Sequence, residues 1–282
     1  MLFILLSFSA QGAVDSACLS VADTDGDGSP GPAPADYSEV GQQDFLLNFF
    51  SAATTMSPLH APIPNPEGKG SIGVELALIP PLSCERRLVL NYTKTEDTNK
   101  VPVLPRPRMS FSFPAIHTKK AKIIPYGGLG YVPPLEIMDT QNVIVSVEAG
   151  VGIADKQEKG LQYGLRGHAT LMKSVAEIAT PFTEDGETLP DFYMGSTFGF
   201  DAMFGFRKET VTPYLAVGFT DISTFFYIDD DGVVVNNQDP FAGPVLSLGV
   251  QWRANKKVQT AAEFYTAPGL INTGRIRASY MF

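Results

Sequence analysis

The sequence predicts an all-β protein, a closed antiparallel barrel that crosses a membrane with about ten strands and carries a short amphipathic helix before them. Three observations support this prediction. After residue 70 the chain alternates between apolar and polar residues with a period of two. The connections between these segments alternate between short and long, and the last strand ends on an aromatic residue, Phe282. Only helices and closed sheets satisfy every backbone hydrogen bond in lipid.

Composition is consistent with this class and excludes others. The 282 residues carry a net charge of −9, which argues against a nucleic-acid partner, and 44% of them are hydrophobic. After the first dozen residues no continuous apolar run reaches the length of about 18 residues that a membrane-spanning helix needs. Composition alone also permits a soluble β-sandwich.

Residues 1–13 are typical of a secretory signal peptide, since an apolar run ends at Phe8 and small residues follow up to Ala13. Cys18 is a poor lipidation site because Asp15 stands where an aliphatic residue is required. We therefore expect cleavage near Gly12 or Ala13.

Residues 14–41 are rich in Asp, Gly and Pro, and this predicts a disordered acidic linker. Asp23, Asp25 and Asp27 have the carboxylate spacing of calcium loops, but the downstream Glu of an EF-hand is missing. A solvated linker is the favoured interpretation, with calcium as a weak alternative, and no cofactor is expected.

Residues 42–56 predict an amphipathic helix, because Phe45, Phe49, Ala52 and Met56 recur at helical spacing and Asp44 suits the first turn. A proline segment follows, so that residues 42–69 form a unit of their own before the barrel at 70–282. The helix is expected to plug the periplasmic mouth of the barrel, to lie flat on the membrane, or to be an extra strand.

Ten strands are predicted to begin at about 70, 107, 122, 143, 161, 192, 212, 243, 257 and 272. The turns near 117, 157, 208 and 255 are short, and the connections near 90, 135, 180 and 235 are longer. This alternation is typical of barrels with short periplasmic turns and long extracellular loops. The short connection at 267–271 is the exception.

The last strand places apolar residues at every second position, Ile276, Ala278, Tyr280 and Phe282. This pattern resembles the terminal insertion signal of Gram-negative outer-membrane β-barrels, in which a final Phe is read by the barrel-assembly machinery. The resemblance implies a place in the cell outer membrane, with outer-membrane lipid and that machinery as partners.

The opposite strand faces collect charged and polar residues that a barrel would enclose in its lumen. A ten-stranded barrel has a narrow interior filled by side chains, so these groups should pair across it and hold the barrel closed. The alternative is a gate or a polar substrate path. The predicted set is Glu75, Glu148, Arg166, His168, Asp201, Glu263, Arg275 and Arg277.

The Phe-rich helix, the proline segment and the strand Thr212–Gly218 together resemble a group of uncharacterised outer-membrane barrels, which implies the fold but no activity. We expect a narrow or plugged pore for limited transport of an unidentified small molecule, or else a structural or surface-interaction barrel. A hydrolase is the least favoured interpretation, because His60, His117 and His168 lack Ser or Asp partners at useful spacing. No enzymatic activity is expected.

Two cysteines, Cys18 and Cys84, leave the strand number open. With ten strands Cys84 lies in an extracellular loop, and a bond to Cys18 requires the N-terminal segment to thread the lumen. With twelve strands, using residues 45–54 and 85–92, both cysteines lie on the periplasmic side.

Overall fold

The computed structural model describes residues 18–96, 102–137, 140–156, 158–176, 179–182, 191–228 and 233–282. Ten long antiparallel strands form one barrel wall. Numbered in chain order among all strands, they are β1 (Gly70–Leu78), β4 (Val103–Ser112), β6 (Ala121–Ile137), β7 (Thr140–Asp155), β8 (Gly160–Ala176), β10 (Asp191–Arg207), β11 (Val211–Ile228), β13 (Ala242–Arg253), β14 (Val258–Ala267) and β15 (Ile271–Met281).

The wall closes because β1 pairs with β4 on one side and with the last strand, β15, on the other. Every long strand pairs with two neighbours in this ring, so the wall has no edge strand of the kind that an open sheet presents. The prediction of a ten-stranded closed barrel is confirmed, and the twelve-stranded alternative is wrong because residues 45–54 are helical.

Shorter elements lie at the barrel ends and inside it. β5 extends the hairpin of β6, β12 extends that of β11, and β2, β3 and β9 form a separate three-stranded sheet. Within the described residues no helix is both long and apolar enough to cross a membrane. The elements outside the ten-stranded wall are α1 (Leu19–Ala22), α2 (Glu39–Thr54), α3 (Cys84–Arg87), β2 (Leu88–Val89), β3 (Lys94–Glu96), β5 (Ile116–His117), β9 (Ala179–Pro181) and β12 (Val233–Asn236).

The two ends of the barrel differ. The short-turn end holds the turns at 113–120, 156–159, 208–210 and 254–257, together with the start of β1 and the C-terminus. The long-loop end holds the connections that follow β1, β8 and β11. The long connection predicted near 135 is wrong, because β6 continues through Pro133 and Pro134 to Ile137. A register shift between Val132 and Leu135 accommodates the two prolines.

Strand alternation decides between a membrane barrel and a soluble sandwich. Phe198, Phe204 and Leu248 point outward and are 64%, 47% and 61% exposed, whereas the charged residues on the other face are buried. A soluble sandwich would show the reverse. The outer face is therefore apolar, as hydrocarbon requires.

Aromatic and C-terminal residues lie on the outer face of the barrel. Tyr131, Tyr163 and Trp252 are exposed on the outer face near strand ends, where interfacial girdles occur. Every member of the predicted insertion signal also faces outward; the set is Ile276, Ala278, Tyr280 and Phe282.

The loss of unfolding free energy caused by an arginine on the outer face should depend on the depth of that arginine in the membrane. Leu165 lies in the middle of β8 and Leu161 at its short-turn end, and they are 63% and 60% exposed. We expect Leu165→Arg to lower the free energy of unfolding in lipid vesicles by about 2–4 kcal/mol and Leu161→Arg by about 0–1 kcal/mol. Urea titrations of the two variants measure the difference. Equal costs would contradict the assignment of this face to lipid.

Helix α2 begins three residues earlier and ends two residues earlier than the predicted 42–56. Ser38 caps it, since the Ser38 hydroxyl accepts a hydrogen bond from the Gly41 amide at 3.2 Å. The first-turn acid is Glu39, not Asp44. The extended backbone of Thr55 ends the helix (φ −53°, ψ 137°).

A plugged lumen as the candidate functional site

The N-terminal segment enters the barrel from the long-loop end and leaves it at the short-turn end. We call residues 39–69 the plug: α2 occupies the long-loop half of the lumen, and residues 55–69 descend to the start of β1. The helix therefore does not lie flat on the membrane, and it does not sit at the short-turn mouth. Its last turn reaches the centre of the barrel, where the predicted charged residues meet it.

Residues 18–38 are not the disordered linker that composition predicts. Cys18 and Ala22 are fully buried, and they pack with Leu88, Tyr92 and Phe182 at the long-loop end. We call this cluster, formed by residues 18–38, 79–96 and 179–182, the cap. Residues 1–17, including the predicted signal peptide and the start of the predicted linker, lie outside the described residues.

A disulfide joins Cys18 to Cys84, with Cα atoms 5.3 Å apart. Cys84 lies in the connection between β1 and β4, at the long-loop end. Of the two arrangements that the sequence left open, the structure has the one with ten strands and an N-terminal segment threaded through the lumen. The plug is consequently attached at both ends, by the disulfide above and by the peptide chain to β1 below.

One side of α2 packs against an apolar part of the barrel wall. Phe49, Ala52 and Ala53 pack against wall residues at the ends of β11, β13, β14 and β15, namely Ile222, Val245, Tyr265, Ala267 and Ile271. This packing explains why the apolar stripe of the helix faces the barrel wall.

Two polar residues of α2 attach it to the connection before β13. The Asp44 carboxylate accepts hydrogen bonds from the backbone amides of Gln238 (2.8 Å) and Asp239 (3.1 Å). The Asn48 amide group donates to the Asp239 carbonyl at 2.9 Å and accepts from the Phe241 amide at 3.0 Å. Asp44 thus connects plug to wall and is not a partner of the helix dipole.

Below the helix lies an ionic layer built from three carboxylates. Glu75 is ion-paired with Arg106 at 2.6 Å, with Arg108 at 3.2 Å and with Arg275 at 3.6 Å. All four side chains are buried. Because a buried ion is costly without a partner, Glu75 and its three arginines hold three wall strands, β1, β4 and β15, at one height.

Glu148 and Asp201 continue the layer around the barrel. Glu148 pairs with Arg108 at 2.9 Å and with Arg166 at 2.6 Å, and Arg166 also reaches Asp201 at 2.6 Å. The His168 ring lies 3.8 Å from Asp201. Glu148 and Arg166, two members of the predicted lumen set, thus form an ion pair.

The plug supplies the remaining ligands of these arginines through its backbone carbonyls. Arg106 donates to the Thr54 carbonyl at 2.8 Å, and Arg275 donates to those of Ala52 and Ala53, each at 3.4 Å, and also to that of Thr55. These carbonyls end α2 and carry the negative end of its dipole. The carbonyls at the end of α2 and two cations therefore satisfy each other, which accounts for the direction of the helix in the lumen.

The extended part of the plug binds arginines in the same way. Arg108 donates to the Ser57 carbonyl at 3.0 Å and to the Pro58 carbonyl at 2.7 Å, and Arg166 donates to the Met56 carbonyl at 2.5 Å. The ionic layer is therefore shared between wall and plug, and neither is satisfied without the other.

Glu263 and Arg277 belong to the predicted lumen set, but no ion pair joins either of them to another described residue. The Glu263 carboxylate accepts from the Leu59 amide and from the Tyr214 hydroxyl, both at 2.8 Å. Nε and Nη2 of Arg277 have no hydrogen-bond partner within the described part of the chain. All eight predicted lumen residues face inward, but their roles differ from the expected set of cross-lumen pairs.

Side-chain amides hold the lower plug. The Ala61 amide donates to the Gln251 side-chain oxygen at 2.7 Å, and Gln251 and Gln259 both donate to the Pro64 carbonyl, at 3.2 and 3.1 Å. Asn65 donates to the Ser110 hydroxyl at 2.9 Å. This segment therefore has fixed partners on both sides of the barrel.

Pro62 packs against three wall glycines, Gly152, Gly164 and Gly205. A Cβ atom at Gly152 would lie 2.5 Å from the Pro62 carbonyl oxygen, and one at Gly205 would lie 2.8 Å from Pro62 Cδ. We expect Gly152→Ala to lower the unfolding free energy by about 1–3 kcal/mol, the usual cost of overpacking. Gly167→Ala, whose Cβ meets nothing closer than 3.9 Å, is the matched control. Urea midpoints in detergent compare the two, and an unchanged midpoint for Gly152→Ala would contradict this packing.

The histidines have structural surroundings. His60 is buried in the plug, with Nδ1 2.6 Å from the Ala61 carbonyl and Nε2 3.4 Å from Glu148. His117 lies exposed in β5, 3.5 Å from Glu67. Neither arrangement holds a serine nucleophile near a base.

Glu67 fixes the point where the plug leaves the lumen. It is 3.2 Å from Lys122, and the hydrogen bond from the Lys122 ammonium holds the pKa of the Glu67 carboxyl below its usual range. In the cap, burial raises the pKa of the Tyr37 hydroxyl well above its ordinary value. Both groups keep their usual charge at neutral pH.

One group of residues could reach a metal ion. Ligand oxygens of Asp23, Asp25 and Asp27 lie within 4.8 Å of one another in the cap. The two Asp23 oxygens already accept hydrogen bonds from the amides of Gly26 (2.7 Å) and Gly28 (3.1 Å). Calcium at this loop stays a prediction of the sequence.

Comparison with known proteins adds to the description of the fold only. No protein-family model matches the chain, and no curated protein matches it. Among solved structures it is similar to the attachment invasion locus protein Ail of Yersinia pestis (13% identity, 77% of this chain and 99% of that one, TM-score 0.36). It is also similar to the β-domain of the Bordetella autotransporter Brka (10%, 76% and 99%, 0.41) and to the Pseudomonas putida toluene transporter TodX (10%, 88% and 77%, 0.32).

These similarities are too distant to bear on activity. The closed wall, its apolar outer face and its ionic interior nevertheless give the chain the architecture of a Gram-negative outer-membrane β-barrel.

Proposed function

We propose that the protein is an outer-membrane barrel sealed by its own N-terminal segment, with a structural or surface-interaction role carried by the cap. In barrels of this class the short turns face the periplasm. The long-loop end, and the cap with it, then lies at the cell surface. Outer-membrane lipid and the barrel-assembly machinery are the partners that this location implies.

The observation that carries the proposal is the fixation of the plug. Four buried arginines, Arg106, Arg108, Arg166 and Arg275, use plug carbonyls as ligands. Withdrawal of the plug would leave these cations without those partners, which is costly in a low-dielectric interior. A pore for limited transport of small molecules, the other role considered, would need such a withdrawal.

We also propose that the protein is not an enzyme. His60 and His168 are buried in the ionic layer, where their neighbours are carboxylates and plug carbonyls. No substrate could reach them without displacing the plug.

Planar-bilayer recordings of the full-length protein test the sealed state. We expect no conductance steps, whether the disulfide is intact or reduced, because the carbonyl ligands remain after reduction. Quenching of Trp252 by a brominated lipid in parallel samples verifies that the protein has inserted. Stable open steps in the oxidised protein would overturn the proposal and favour transport.

A further inference from the structure

Exposed lysines gather at the short-turn end. They come from every short turn and from the residue before β1, and none is ion-paired with a carboxylate within the described part of the chain. The set is Lys69, Lys119, Lys120, Lys156, Lys159, Lys208, Lys256 and Lys257.

The acids of this rim are mostly engaged elsewhere. Glu158 pairs with Arg207 at 3.0 Å and with Lys122 at 3.5 Å, and Glu67 also pairs with Lys122. Asp155 accepts a hydrogen bond from the Lys159 amide at 2.8 Å. The rim therefore presents a net positive charge to its surroundings.

The lysines form a ring and not a patch, because the turns that carry them are spaced around the whole barrel. A globular partner would contact one arc of such a ring. A planar surface of phosphate groups at one height meets all of it at once. The distribution therefore fits a lipid leaflet better than a protein.

Their height also fits a lipid head group. Lys208 follows the outward-facing Phe206 by two residues, and Lys257 directly precedes the outward-facing Val258. A lysine in this position can lay its aliphatic stem on the apolar belt and place its ammonium group at the phosphates. Trp252 and Tyr280 mark the same interface.

We propose that this ring binds the phosphate groups of anionic phospholipids in the leaflet that faces the short turns. The inference rests on the membrane location proposed above. It assigns to the rim a preference for phosphatidylglycerol-type over phosphatidylcholine-type lipids, since both have a phosphate but only the first has net charge.

Trp252 is the single tryptophan of the chain and lies beside the turn that carries Lys256 and Lys257. The full-length protein is reconstituted in vesicles that mix plain lipid with brominated phosphatidylglycerol or brominated phosphatidylcholine. We expect brominated phosphatidylglycerol to quench Trp252 with a relative binding constant about fivefold higher, the factor for one lysine near a membrane surface. Salt should reduce the preference.

Charge variants assign the effect to the ring. K256Q/K257Q should abolish the preference, and K256R/K257R should retain it. K119Q/K120Q, on the far side of the barrel, should leave quenching of Trp252 unchanged.

Other results would overturn the inference. They are equal quenching by both lipids, a preference that K256Q/K257Q does not change, or binding of soluble polyphosphate without any lipid preference. Failure of every brominated lipid to quench Trp252 would show that the protein has not inserted, and would count against the proposed membrane location instead.

Discussion

Glu148→Gln should lower the free energy of unfolding by about 3–5 kcal/mol, the usual cost of leaving a buried charge unpaired. The Glu148 carboxylate contacts Arg108 at 2.9 Å, Arg166 at 2.6 Å and His60 at 3.4 Å, and all four side chains are buried. An amide keeps the shape of the carboxylate but removes its charge, so two buried cations each lose one counter-ion. Among the described carboxylates, Arg108 then keeps only Glu75, and Arg166 keeps only Asp201.

Urea titration of the barrel in detergent, followed by Trp252 fluorescence, measures this loss. Glu209→Gln is the control, because Glu209 is an exposed acid in a short turn and its replacement should cost little. A double variant that also carries Arg166→Gln should lose less than the sum of the two single losses, because both partners of one ion pair are then absent. A cost below about 1 kcal/mol for Glu148→Gln would show that the ionic layer does not hold wall and plug together.

Replacing both cysteines by serine should also destabilise the protein strongly. The bond joins residues 66 positions apart. The loss of its constraint on the unfolded chain corresponds to about 4 kcal/mol in the chain-entropy model, and measured values are often about 2–4 kcal/mol. We expect the cap to open more often as well, because its N-terminal part is then held only by non-covalent contacts, among them packing against Leu88, Tyr92 and Phe182.

The measurement compares urea midpoints of C18S/C84S with those of the parent protein before and after reduction. The reduced parent should match the variant, and the oxidised parent should be the most stable. Limited proteolysis should cut residues 19–38 faster in the variant. Identical midpoints for all three samples would mean that the disulfide contributes nothing to holding the N-terminal segment.

The face of the barrel wall on which each strand residue lies could be predicted from the sequence, because one physical rule determines it. Side chains of a strand alternate between its faces, so one correctly placed residue fixes the rest of the strand. Arg166 and His168, for example, alternate with Leu165 and could only share a face. For this reason all eight predicted lumen residues face inward.

Arg106 was missed because prolines surround it. The prolines and the hydrophilic run of residues 80–106 predict a loop, yet Pro105 and Arg106 belong to β4. Over this stretch β4 pairs with β1 alone, and its pairing with β6 begins at Arg108, so the missing proline N–H groups break no ladder on that side. No pattern within the strand reveals this.

The position of the plug could not be predicted either, because its partners are backbone carbonyls. A carbonyl carries no sequence signal, and the arginines that bind the plug lie 50 or more residues away in the chain. Only the two cysteines pointed to a threaded segment. A bond between them is compatible either with ten strands and an N-terminal segment in the lumen or with twelve strands, and the sequence does not decide between these.

The central claim is that the N-terminal segment runs through the lumen and ends on the side of the long loops. Epitope labelling on intact cells tests it with two insertions in the full-length protein, one after Gly28 in the cap and one in the turn at 254–257. We expect antibody to bind the cap epitope on intact cells, and to bind the turn epitope only after the outer membrane has been permeabilised. A cap epitope that is detected only after permeabilisation would contradict the threaded barrel.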